Sequence, residues 1–104
     1  MRKEKPPVTL KDIEESVAEW EESLRWIAKG WDCMEEYTHD LWSRETLDRE
    51  LREYGDKPVP PELTRRIAAA DQYFRQLTDE TGDCVWRDPQ NYDRKRYWYY
   101  YRWP

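Results

Sequence analysis

The chain has 104 residues, 39% of them charged and 38% hydrophobic, with a formal net charge of −5. That length allows one domain with a modest core, and a highly charged composition on its own points toward disorder. Sixteen aromatic residues, seven of them tryptophan, in a regularly spaced apolar pattern argue for a folded chain instead.

Charge is divided unevenly. Residues 1–8 carry a net +2 and residues 85–104 a net +3, leaving −10 on residues 9–84. A basic end and an acidic body attract, so the C-terminal tail is expected to fold back onto its own chain. Residues 1–8 hold charges and two prolines but no apolar pattern and are expected to be disordered. No apolar run suits a membrane span or a secretion signal, which makes the cytoplasm the expected compartment. Cys33 and Cys84 belong to no CxxC motif and are expected to be free thiols.

The first helix is predicted over 10–29. Leu10, Ile13, Val17, Trp20, Leu24 and Ile27 recur at alternating spacings of three and four, one stripe of an α-helix. Thr9 is placed to cap its start, with Val8 as a staple in front. At Gly30 two architectures compete. The three-four spacing continues through Trp31, Met34, Thr38 and Leu41, which suits one long helix over 10–54 followed by a helix over 61–79. Local chemistry favours a turn, with Gly30 in a left-handed position, Trp31 in hydrophobic contact, and Asp32 with Glu35 as a capping box.

A second helix over 33–54 follows the turn and ends before Gly55. Its apolar stripe changes phase near Trp42–Arg44, which suggests a kink or restart with Ser43 as a local cap. Lys57-Pro58-Val59-Pro60-Pro61 is a helix-free linker, and Pro61 suits the first position of a third helix over 61–79. Leu63, Ile67, Ala70, Phe74 and Leu77 form its stripe. The fold class is therefore all-α, an antiparallel three-helix bundle forming a single domain over 1–104. In that geometry Cys84 returns to the neighbourhood of Cys33.

Periodicity is lost after Cys84, and residues 85–104 form an aromatic tail. Six aromatic residues crowd its last eight positions, Tyr97 to Pro104. The tail is expected to be irregular or extended, with no second strand to pair with, and to lie along the bundle. Trp26, Gly30, Cys33 and Tyr37 offer a second helical stripe for its rings. Those rings are expected to be half-buried with polar tips outward.

Candidate chemistry is sparse. Glu36 and His39 have the Glu-x-x-His spacing of di-metal bundles, but His39 is the only histidine, so a metal site of that type would need a dimer. The paired glutamates point about 100° apart on a helix and read as solvated faces. No glycine-rich phosphate loop is present, and no cofactor is implied. The expected function is non-enzymatic: binding of another protein, or self-association as a homodimer, through Trp26, Trp42, Tyr97, Trp98, Tyr100, Arg102 and Trp103. Tyrosine, tryptophan and arginine are the residue types that dominate protein interfaces. An alternative is an acidic mimic of nucleic acid that inhibits a basic protein; the acidic body itself disfavours nucleic acid as a ligand. A metal-binding helical protein formed across a dimer is a further alternative.

Overall fold

The three-dimensional structure, a computed structural model, describes residues 7–30 and 33–104, with only the backbone of Met34. Three α-helices, α1 (Leu10–Lys29), α2 (Met34–Tyr54) and α3 (Pro61–Leu77), form the bundle. Two short strands, β1 (Asp79–Glu80) and β2 (Arg102–Trp103), and two 3-10 turns, Pro89–Asn91 and Trp98–Tyr101, complete it.

Local chemistry accounts for the start of α1, the ends of α1 and α2 and the start of α3. The Thr9 hydroxyl accepts from the Asp12 amide while the Asp12 carboxylate accepts from the Thr9 amide, a capping box that satisfies two orphan donors of α1. Val8 packs against the core, as a staple would, whereas residues 1–6 lie outside the described residues. Gly30 ends α1 and excludes the single long helix. Its φ of 94° is positive, but its ψ of 163° is extended rather than left-handed helical, a combination open essentially to glycine alone. Gly55, at φ 74° and ψ −139°, ends α2 in the same way. The residue preceding α2 is Cys33, which makes no side-chain capping bond. Trp31 and Asp32, expected at the turn and the capping box, lie outside the described residues. Pro60 and Pro61 open α3.

The phase change read in α2 has a different origin from a kink. The helix runs unbroken from Met34 to Tyr54, and Ser43 does not cap a restart: its hydroxyl donates to the Asp40 carbonyl at 2.8 Å. The buried row is Tyr37, Leu41, Arg44 and Leu47, so a charged residue fills the position where a hydrophobic one was sought. Arg44, only 8% exposed, donates from Nε and Nη2 to the two oxygens of Asp71 on α3 at 2.9 and 3.0 Å. Trp20 of α1 donates its indole N–H to the same carboxylate at 3.0 Å. One buried anion thus ties three helices together at one level, with the bidentate geometry that an arginine fork favours.

Helices α1 and α2 are antiparallel, since Ser16 meets Glu50 while Ser23 meets Ser43. Helices α2 and α3 each pack along α1, and the tail inserts between them. Trp98 lies against Phe74 of α3, whereas Tyr100 donates to Glu45 of α2 at 2.9 Å. Tyr99, Tyr100 and Tyr101 belong to the buried core together with Trp20, Leu24, Tyr37 and Phe74. These tyrosines are therefore not half-buried as expected. The 3-10 turn over Trp98–Tyr101 points them inward, and the bundle has an aromatic filling between two of its helices.

The tail also finds a strand partner, contrary to expectation. Helix α3 stops at Leu77 rather than residue 79, and Asp79 and Glu80 pair antiparallel with Trp103 and Arg102. Arg102 locks the junction, donating to the Thr78 hydroxyl at 2.9 Å and to the carbonyls of Arg75 and Thr78. These contacts occupy carbonyls left over at the end of α3. Of the proposed second stripe only Tyr37 is covered: its ring meets Trp103 at 5.6 Å and its hydroxyl donates to the Arg102 carbonyl. Gly30, Cys33 and Trp26 remain exposed. Charge attraction between tail and body is visible in the Arg94–Glu80 pair at 2.9 Å and the Arg96–Asp48 pair at 3.9 Å.

Both cysteines are free. Residues 85–88 share a surface cleft with Glu35 and Thr38, so the segment after Cys84 does return to the start of α2. Among the described residues no helix is long and apolar enough to cross a membrane.

Candidate functional site

Among the described residues, two tryptophans are more than half exposed, Trp26 at 54% and Trp42 at 51%. The helical stripe explains why. Leu24 and Ile27 turn into the core from α1 and Leu41 from α2, which leaves Trp26 and Trp42 beside the buried rows. Both lie along the seam where the C-terminal half of α1 runs against the N-terminal half of α2. Contact between Ser23 and Ser43 at 3.0 Å holds the two helices close at this level.

Two open clefts occupy the seam. One, of about 640 Å³, is lined by Trp26, Lys29, Gly30, Glu35, Glu36, His39 and Asp40. The other, of about 370 Å³, runs between Trp26 and Trp42 over His39 and Asp40 and is edged by Glu19 and Glu22. Trp26, His39 and Asp40 belong to both, so the clefts form two lobes of one surface.

Acidic side chains dominate that surface. Glu19, Glu22, Glu35, Glu36 and Asp40 face a single lysine, Lys29, whose ammonium sits 4.9 Å from the centre of the Trp26 ring. Arg25 partly neutralises Glu22 at 2.7 Å. Burial pushes the Asp40 carboxyl above its ordinary range, with Glu36 acting in the same direction and His39 opposing both. Asp40 is half-buried whereas Glu19, Glu22, Glu35 and Glu36 are exposed, so its charge is the least hydrated of the five.

Trp42 is held in place from behind. Its ring lies 5.3 Å from His39 and stacks at 6.0 Å on Trp86, which in turn stands edge-on to buried Tyr100 at 5.6 Å. A row of rings therefore connects the core to the exposed tryptophan. Trp86 is the residue that sequence reasoning missed, although a signal existed: it follows by two positions the cysteine expected beside the start of α2.

The remaining predicted interface residues do not join this surface. Tyr97 is half-buried among Tyr92, Tyr99 and Tyr100, with Arg96 over its ring. Trp98 is half-buried between Phe74 and the guanidinium of Arg75. Tyr100 is inside the core, Arg102 turns toward the end of α3, and Trp103 lies on Tyr37 with its indole N–H on the Asp83 carbonyl. Of the seven residues expected at an interface, the structure brings Trp26 and Trp42 together and assigns the other five to the tail's own packing.

The Glu36–His39 pair sits on the rim of the larger cleft. Among the described residues no three His, Cys, Asp or Glu side chains come together in an arrangement that could hold a metal ion. Comparison of the chain with protein-family models, with characterised proteins and with solved structures gives no match.

Proposed function

We propose that this is a non-enzymatic binding protein that recognises a basic segment of another protein on the α1–α2 seam. The reading rests on one observation: two half-exposed tryptophans edge a cleft whose lining includes Glu19, Glu22 and Asp40 and neither lysine nor arginine. Tryptophan is the residue type most often responsible for binding energy, and burying it against a partner removes a large apolar area from water. Carboxylates beside tryptophan faces suit lysine or arginine, which are drawn to both the charge and the ring. Two copies meeting through this face would oppose their carboxylates, so the partner is a different and basic chain. Free cysteines fit a cytoplasmic setting.

The test is capture of partners from a lysate by the wild-type chain and by the double variant W26A/W42A, with the captured proteins identified and the interaction then remeasured with purified partner. Loss of at least about 2 kcal/mol of binding on double substitution is expected, with a melting temperature lowered by only a few degrees, since Trp42 gives up its stack on Trp86 but neither ring belongs to the core. Self-association abolished by the same substitutions would contradict the basic-partner reading. A partner released by moderate salt yet indifferent to both tryptophans would favour the acidic mimic of nucleic acid.

A further inference from the structure

We infer that the junction of the tail with the end of α3 is a binding site for a phosphate monoester or inorganic phosphate. A cavity of about 160 Å³ there is lined by Arg75, Arg94 and Arg102, with Glu80, Trp98 and Tyr101. Three guanidiniums against one carboxylate leave a local charge of +2 in a protein whose net charge is −5. A phosphate monoester is close to a dianion at neutral pH, its second pKa being about 6, so the charges match.

The arginines are held in a way that leaves donors available. Arg75 lies over the Trp98 ring at 4.1 Å and, among the described residues, makes no ion pair. Arg94 lies over Tyr101 at 5.4 Å and pairs with Glu80 through Nη2. Contact with a ring uses no N–H group, so Arg75 keeps its donors for bidentate bonds to an oxyanion, and Arg94, whose Nη2 also donates to the Thr81 carbonyl at 3.0 Å, keeps Nε and Nη1. Arg102 donates through Nε and Nη2 to uncharged oxygens, and its Nη1 has no protein partner among the described residues. Those bonds also cover the carbonyls that would otherwise present the negative end of α3 to an anion.

Glu80 is the built-in competitor. Its carboxyl is held below the ordinary range by the hydrogen bond from Arg94, so it is charged at neutral pH, but the pair is solvent-exposed and readily exchanged. Ligand size is also constrained. The cavity suits a tetrahedral oxyanion rather than a nucleoside, and the Arg75 guanidinium covers a face of Trp98 on which a base would stack.

Calorimetric titration of the full chain with inorganic phosphate and, separately, phenyl phosphate tests the site. Saturable binding with one site per chain is expected for at least one of them, and the stronger of the two shows whether the free ion or the ester is preferred. R75Q is expected to weaken binding about tenfold without lowering the melting temperature, since Arg75 is exposed. R94Q, which also frees Glu80 to compete, is expected to weaken binding, and E80Q to tighten it. Absence of saturable binding, unchanged affinity in both arginine variants, or tighter binding of a single-stranded oligonucleotide than of either ligand would overturn the inference.

Discussion

Replacing Asp71 by asparagine removes the single negative charge that holds Arg44 and the Trp20 indole. The carboxylate accepts three hydrogen bonds, two from the guanidinium and one from the indole. The carbonyl oxygen of an asparagine side chain could satisfy one of these donors, but its N–H₂ group would turn toward another, leaving an uncompensated cation 8% exposed among aromatic rings. Breaking a buried ion pair in this way costs about 3–5 kcal/mol, set against a total stability of roughly 5–15 kcal/mol for a chain of this length. A melting temperature lower by roughly 12 °C or more follows from the usual entropy of unfolding at this size. Urea unfolding followed by both tryptophan fluorescence and far-ultraviolet circular dichroism gives the free energy. E21Q, which breaks the exposed pair of Glu21 with Arg66, is the matched control and should change stability by no more than about 1 kcal/mol. The double variant R44M/D71L should regain only part of the loss: an apolar pair requires no desolvation of charge, but it leaves the buried Trp20 indole N–H without its acceptor. A D71N effect no larger than that of E21Q would refute the reasoning, since it would mean that Arg44 finds water or another partner at no cost.

Truncation after Asp93 removes Tyr99, Tyr100 and Tyr101 from the core, and at about 25 cal/mol per Å² their burial contributes roughly 10 kcal/mol before chain entropy is subtracted. The shortened chain is expected to lose its cooperative melting transition and to bind hydrophobic dye; melting within a few degrees of the full chain would show the tail to be peripheral. Alkali provides an independent check, because burial pushes the phenols of Tyr37, Tyr99 and Tyr100 well above their ordinary value, and the Glu45 carboxylate beside Tyr100 adds to the effect. Unfolded phenols lose their protons near pH 10 while these retain theirs, so this stabilisation is fully present below pH 10 and is lost as pH rises above it. Their phenolate absorbance should appear together with the unfolding transition, and its appearance while circular dichroism stays native would contradict the burial.

The helices are legible in the sequence because local rules decide them. Three-four spacing, the Thr9 side chain, Gly55 and Pro61 act within one or two turns of chain, and the structure follows them closely. Charge division likewise points to the return of the tail, and Arg94 and Arg96 do pair with acidic residues of the body. Arg44 misleads for an equally definite reason: an arginine in an apolar row looks like a break until its partner is known, and that partner lies on another helix, 27 residues away. Tyr99 and Tyr100 cannot be distinguished from Tyr97 by composition, because burial of a ring depends on which way a 3-10 turn directs it.

The same division holds for the candidate site. The sequence by itself determined that helices with these stripes would form and that an aromatic basic tail would seek an acidic body, while at Gly30 it left a turn and a continuous helix in competition until the structure ended α1 there. Only the tertiary structure decided that the tail becomes core rather than surface, that Trp86 supports Trp42, and that Trp26 and Trp42 are left facing solvent across an acidic cleft. The first set depends on contacts between residues a few positions apart. The second depends on the space left between helices, which takes shape only when all three have packed.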